Sequence, residues 1–132
     1  MRYGAIAAGW LADLSLSLLF GGILAAIVGG ENASPEEVTR RLNASAELIL
    51  SSLLVGLSFT GVGGYVAAML VKERHVEHAI GVGLLSLGFG LTFLIAGTGE
   101  TPGWATALGL ALTVPFAAFG GWFRKRTEVA AA

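Results

Sequence analysis

The sequence predicts an all-α membrane protein, a single domain of four transmembrane helices spanning residues 1–132. Three observations carry that expectation. The chain is 55% hydrophobic and 13% charged with a mean hydropathy of +0.76, a balance too apolar for an ordinary soluble domain of 132 residues. A spanning helix needs about 20 apolar residues, and four stretches meet that need, at 5–28, 48–70, 79–96 and 104–123. The longest polar segment, 29–47, is too short for a soluble catalytic domain, so function is expected in or beside the bundle.

The first stretch follows Arg2 and resembles a secretory signal, but signal cores run for about 7 to 15 residues, and this one continues further, so a retained helix is expected. It holds Asp13 within an otherwise apolar run. At about 1.5 Å per residue, Asp13 lies roughly 12 Å into a hydrocarbon core about 30 Å thick. Thr60, Ser86 and Pro115 fall at comparable depths. Beyond the first span, Ser34-Pro35-Glu36-Glu37 combines an N-cap hydroxyl, a proline at the first helical position and a glutamate three residues after the serine, which predicts a helix start at Ser34 or Pro35. No breaker follows, so the second span either extends back to residue 35 or bends near 43–45. Asn32-Ala33-Ser34 and Asn43-Ala44-Ser45 match the glycosylation pattern, which is short enough to arise by chance. The "KERHVEH" turn at 72–78 precedes the third span, and "GTGETPG" at 97–103 is a turn-rich connector to the fourth.

Basic residues predict the orientation. Arg2, Lys72, Arg74, Arg124, Lys125 and Arg126 fall on one side of a four-span arrangement, while Arg40 and Arg41 fall on the other together with Glu31, Glu36 and Glu37. Both termini are therefore expected in the cytoplasm. Tyr3, Tyr65, Trp104 and Trp122 lie near predicted helix ends, where amphipathic rings favour the headgroup layer; Trp10 lies deeper. An internal repeat is visible as well. "AIAAGWL" from Ala5 matches "AIGVGLL" from Ala79 at an offset of 74, and "FTGVGGYV" from Phe59 matches "FAAFGGWF" from Phe116 at an offset of 57. The expectation is two helical hairpins entering from the same side, a parallel repeat with 29–47 as its main insertion. Asp13 aligns with Leu87 and is not part of it.

Small residues four apart predict the packing faces. The first span carries Gly9, Asp13, Ser17 and Gly21; the second Gly56, Thr60 and Gly64; the fourth Gly109, Thr113, Ala117 and Gly121. Such stripes lie on one helix face and let backbones approach closely in lipid, so Gly9, Gly21, Gly56, Gly64, Gly109 and Gly121 are the expected packing positions. The first stripe also turns Asp13 toward other helices. Its candidate partners are the hydroxyls of Ser17, Thr60 and Ser86, or the Ala111 carbonyl that Pro115 leaves without its usual donor.

Two chemistries are compatible with Asp13. As a neutral acid it holds helices together; as a titrating one it marks a proton or cation path. The rest of the sequence supplies no evident substrate-cage aromatics for a multidrug-type transporter. His75 and His78, three apart beside Glu73 and Glu77, are weak metal-ligand candidates in what reads more simply as a solvated turn. No catalytic residues are indicated: Ser58 has no histidine at its depth, and the chain has no cysteine for a thiol nucleophile or thiolate metal site. A net charge of −1 with no basic face points away from nucleic acid.

"GGYVAA" at 63–68, His78 with Gly81 and Gly83, Pro102 with Trp104, and "FGGWFRKR" at 119–126 together resemble a group of short, uncharacterised bacterial four-helix membrane proteins. The resemblance implies a bacterial inner-membrane location and supplies no catalytic residue or cofactor. The resulting expectation is an accessory or assembly module acting by helix packing, with the lipid bilayer and a second copy or another membrane protein as partners. Its rival is a proton-coupled transporter or channel using Asp13.

Overall fold

A computed structural model describes residues 2–30, 33–97 and 101–131. Asn32 of the first glycosylation pattern, the charge of Glu31, and 98–100 of the predicted connector lie outside the described residues. The described chain is all-helical: α1 (Tyr3–Gly29), α2 (Pro35–Leu42), α3 (Ala46–Met69), α4 (His75–Ala96) and α5 (Gly103–Ala131). Of these, α1, α3, α4 and α5 are long and apolar enough to cross a membrane, as four predicted spans require. The chain is a small multi-pass membrane protein.

Local chemistry accounts for the helix ends. The Ser34 hydroxyl accepts the Glu37 amide at 3.2 Å, with Pro35 at the first position of α2. Only half of the capping box forms, because Glu37 turns its carboxylate to Arg40 and Arg41. The second span does not reach back to residue 35. Asn43 leaves the helix and Ser45 is extended at φ −141°, its hydroxyl accepting the Leu48 amide at 3.2 Å to start α3 afresh. Gly30 and Gly97 end α1 and α4 at φ 71° and 65°, values that a side chain resists.

The last two spans extend by a turn or more beyond the predicted stretches. Helix α4 begins at His75 rather than 79, and α5 continues to Ala131 rather than stopping at 123. The added turns are tied together: His75 Nδ1 donates to the Ala68 carbonyl at 2.9 Å, while its Nε2 lies 2.9 Å from the Glu128 carboxylate. Arg124 approaches that same carboxylate from one turn back at 3.8 Å. Helix α5 is continuous through Pro115.

Helices α3 and α4 each pack on both α1 and α5, whereas α1 and α5 share little direct contact among the described residues. Packing is closest toward the end that carries Arg2, the 70–74 turn and Glu128. There Ala67, Ala68, Ala79, Val82 and Ala117 are fully or almost fully buried. A Cβ on Gly9 would stand 2.5 Å from the Gly63 carbonyl oxygen, and one on Gly121 2.5 Å from the Ala79 Cβ. Cβ atoms on Gly64 and Gly120 would collide with the backbones of Ala117 and Gly61. Gly109 is less demanding, meeting only the tip of the Leu53 side chain at 3.0 Å. Small residues permit this close approach of backbones in lipid.

Gly21 and Gly56 depart from the prediction. A Cβ on either meets nothing within 4 Å. The stripes keep a constant helix face, but the helices diverge toward the α2 end, so the same face that packs at Gly9 and Gly64 borders open space one to three turns later.

Candidate functional site

Asp13 projects from α1 at the boundary between the packed and open halves of the bundle and is 6% exposed. Its position follows from the glycines around it. Gly9, one turn earlier, brings α1 against α3, and at Gly63 a Cβ would lie 2.9 Å from the Asp13 Cβ, so only a residue without one leaves room for the acid. The carboxylate is then met from three helices. Ser86 of α4 donates to Oδ2 at 2.6 Å. Thr60 of α3 donates to Oδ1 at 3.3 Å, and Ser17, one turn along α1, donates to Oδ1 at 3.5 Å. All four intramembrane polar candidates thus come together in one cluster. The Ala111 carbonyl is not the partner: Asp13 turns to hydroxyls of α1, α3 and α4, while Thr113 of α5, which lines the same cavity, donates to the Gly109 carbonyl of its own helix at 2.7 Å.

Beside Asp13 the helices border an open-sided cavity of about 610 Å³. It is bordered by α1, α3, α4 and α5 and reaches Thr39 and Asn43 at the α2 end. Gly21 and Gly56 border it, which explains why neither packs. Four rings line it too: Trp10, Phe20, Phe59 and Phe89. Trp10 meets Phe89 edge-to-face at 5.7 Å between centroids, and Phe20 meets Phe59 at 5.6 Å. These rings are drawn from α1, α3 and α4. Trp10 also packs on the buried Ile6, Ala67 and Val82, which accounts for its depth.

The other candidates resolve differently. His75 and His78 are 7% and 3% exposed rather than solvated, and each ring is committed separately. His78 Nδ1 pairs with the Arg74 carbonyl at 2.9 Å, and its Nε2 accepts the Arg2 amide at 3.0 Å. A carbonyl on one side and an N–H on the other require the neutral Nδ1–H tautomer. Among the described residues no group of three or more His, Asp or Glu side chains is placed to hold a metal ion. The Ser58 hydroxyl donates to the Leu54 carbonyl at 2.8 Å, the ordinary back-bond of a helical serine.

Gly63, Gly83 and Gly120 were missed as packing positions, although Gly63 and Gly120 occupy equivalent places in the "FTGVGGYV" and "FAAFGGWF" repeat. That repeated glycine pair was the signal that could have found two of them. Neither family models, nor curated proteins, nor solved structures match this chain, so the chemistry of the site rests on the arrangement of its own residues.

Proposed function

We propose that the chain is a multi-pass protein of a bacterial inner membrane, with both termini cytoplasmic, that acts as a small proton-coupled transporter through Asp13. The observation that carries this reading is the place of Asp13 at the inner end of a 610 Å³ cavity, above helix contacts close enough to exclude a side chain. An acid so placed is reached from the α2 side and sealed from the other. Intramembrane carboxylates facing a cavity are the usual sites of proton and ion movement, because burial against lipid alone would be costly. The cytoplasmic placement of the termini rests on the basic residues, six on their side against two on the other. A parallel two-hairpin repeat rests on the matched segments from Ala5 and Ala79 and from Phe59 and Phe116.

The second reading is an assembly module in which Asp13 serves only to join helices. Its support is the set of three hydroxyl donors, one from each of α1, α3 and α4. Proton flux in proteoliposomes separates the two. Native protein is expected to carry a pH-driven flux that Asp13→Asn abolishes while remaining folded, since an amide cannot titrate. Absence of flux in well-folded native protein favours the assembly role.

A further inference from the structure

Among the described residues that line the cavity, Asp13 is the one ionisable side chain. Its three hydroxyl partners offer hydrogen bonds but no charge. The basic residues nearest the α2 end are committed elsewhere: Arg40 and Arg41 both pair with Glu37, and Arg41 also donates to the Val28 carbonyl at 2.9 Å. An ionised Asp13 therefore confronts the cavity as a single negative charge without a protein counter-ion, inside walls that are otherwise uncharged and mostly apolar. Trp10 and Phe20 flank it along α1, three residues before and seven after, on the same helix face. Each is paired with a ring from a neighbouring helix.

Resting on the transporter reading above, we propose that the cavity binds a monovalent organic cation, an ammonium group on an apolar body, with the cationic group against Asp13 and the body among Trp10, Phe20, Phe59 and Phe89. Charge complementarity selects the sign, and aromatic faces attract alkylated ammonium groups when the cation lies within about 6 Å of the ring. The walls select an apolar body, and the volume suits a small organic molecule, since such sites span about 300 to 1,000 Å³. A hydrated inorganic cation would gain nothing from the rings. A proton and the cation compete for one carboxylate, which provides the coupling: the cation binds ionised Asp13 and is released when the acid takes up a proton.

The test uses the full chain in nanodiscs of phosphatidylcholine, with empty nanodiscs as the blank for partition into lipid. Phenyltrimethylammonium is compared with tert-butylbenzene, which has the same shape and no charge. Native protein is expected to bind the cation about tenfold or more tightly than the hydrocarbon, and Asp13→Asn to lose that preference. Gly56→Leu keeps the acid and narrows the cavity one turn from Thr60, so it is expected to weaken binding of both ligands with its melting temperature unchanged. This variant serves if Asp13→Asn fails to fold, since Gly56 has room for a side chain. Equal binding of the two compounds by native protein, no binding of the cation, or full cation affinity in Gly56→Leu would overturn the proposal. Asp13-dependent proton flux with no such cation binding would leave the proton path standing and remove the organic cation from it.

Discussion

Asp13 makes hydrogen bonds to three hydroxyls, and their strengths differ. The Ser86 contact at 2.6 Å is short, whereas those from Thr60 and Ser17 at 3.3 and 3.5 Å are long for O–H donors. Interhelical side-chain bonds in membranes average about 0.6 kcal/mol and reach about 1.7 kcal/mol. Ser86→Ala is therefore expected to destabilise by about 1 kcal/mol, and Thr60→Val by less, measured by thermal unfolding in detergent. Asp13→Asn keeps one acceptor and gains a donor, so its melting temperature should stay close to native. Asp13→Leu takes the acceptor from Ser17 and Ser86, leaves Thr60 only the Gly56 carbonyl at 3.4 Å, and places a branched side chain against Gly63, and is expected to lose about 2 kcal/mol or more. Equal melting temperatures for the Asn and Leu variants would mean that the cluster contributes nothing to packing.

Helices α3 and α1 each have a packed half and an open half, and glycines on one stripe fall into both. A leucine at Gly64 would run into the Ala117 backbone, which cannot move aside, while one at Gly56 enters the cavity. Gly64→Leu is expected to destabilise by about 1 to 3 kcal/mol, and Gly56→Leu to fall within about 0.5 kcal/mol of native. The reverse order in a detergent melting series would contradict the placement of α3. Helix α2 carries a pH dependence of its own. The Arg41 hydrogen bond and the nearby Arg40 hold Glu37 below the usual glutamate range, and Glu36 is lowered by a bond to its own backbone amide and by Ser34. Because these values lie lower in the folded helix, their support is complete above the ordinary glutamate range and fades as pH falls through the depressed values. Amide protection factors over 38–42 are expected to fall as the pH drops below the ordinary glutamate range while those of α3 hold. Unchanged protection in α2 would show that the Glu37 pairs are idle.

At the scale of the whole molecule, charge is divided between the two ends. Arg2 caps the Leu70 carbonyl at 3.3 Å and supplies its amide to His78, so the N-terminus, the 70–74 turn and the extended end of α5 form one face, with Glu128 joined to His75. Arg40 and Arg41 lie at the other end beside α2. The excess of basic residues on the first face predicts that it stays in the cytoplasm. Single cysteines at Ser34 and Thr127 are expected to react from opposite sides, Ser34 in intact cells and Thr127 only after lysis. Labelling of Thr127 in intact cells by an impermeant reagent would invert the topology.

Four apolar runs, the break signals between them and the Ser34-Pro35 start were legible in the sequence because they depend on side chains close together in the chain: hydropathy over one helix length, or a hydroxyl three residues from an amide. The inward direction of Asp13 was legible for the same reason, since four-residue spacing fixes a helix face. The separation of α2 from α3 was left open by the sequence, as Asn43-Ala44-Ser45 suits either a bend or a continuous helix, and the Ser45 cap decided it. The added turns of α4 and α5 depend on His75 meeting Glu128, a contact between residues far apart in the chain. Tertiary structure alone decided which glycines pack. Gly56 and Gly64 have the same spacing and the same face, yet one borders a cavity and the other an α5 backbone, because the distance between two helices depends on how they diverge along their whole length. The cavity itself has the same origin. Its rings come from α1, α3 and α4, and no periodicity within one segment reports that Trp10, Phe20, Phe59 and Phe89 surround a space above Asp13.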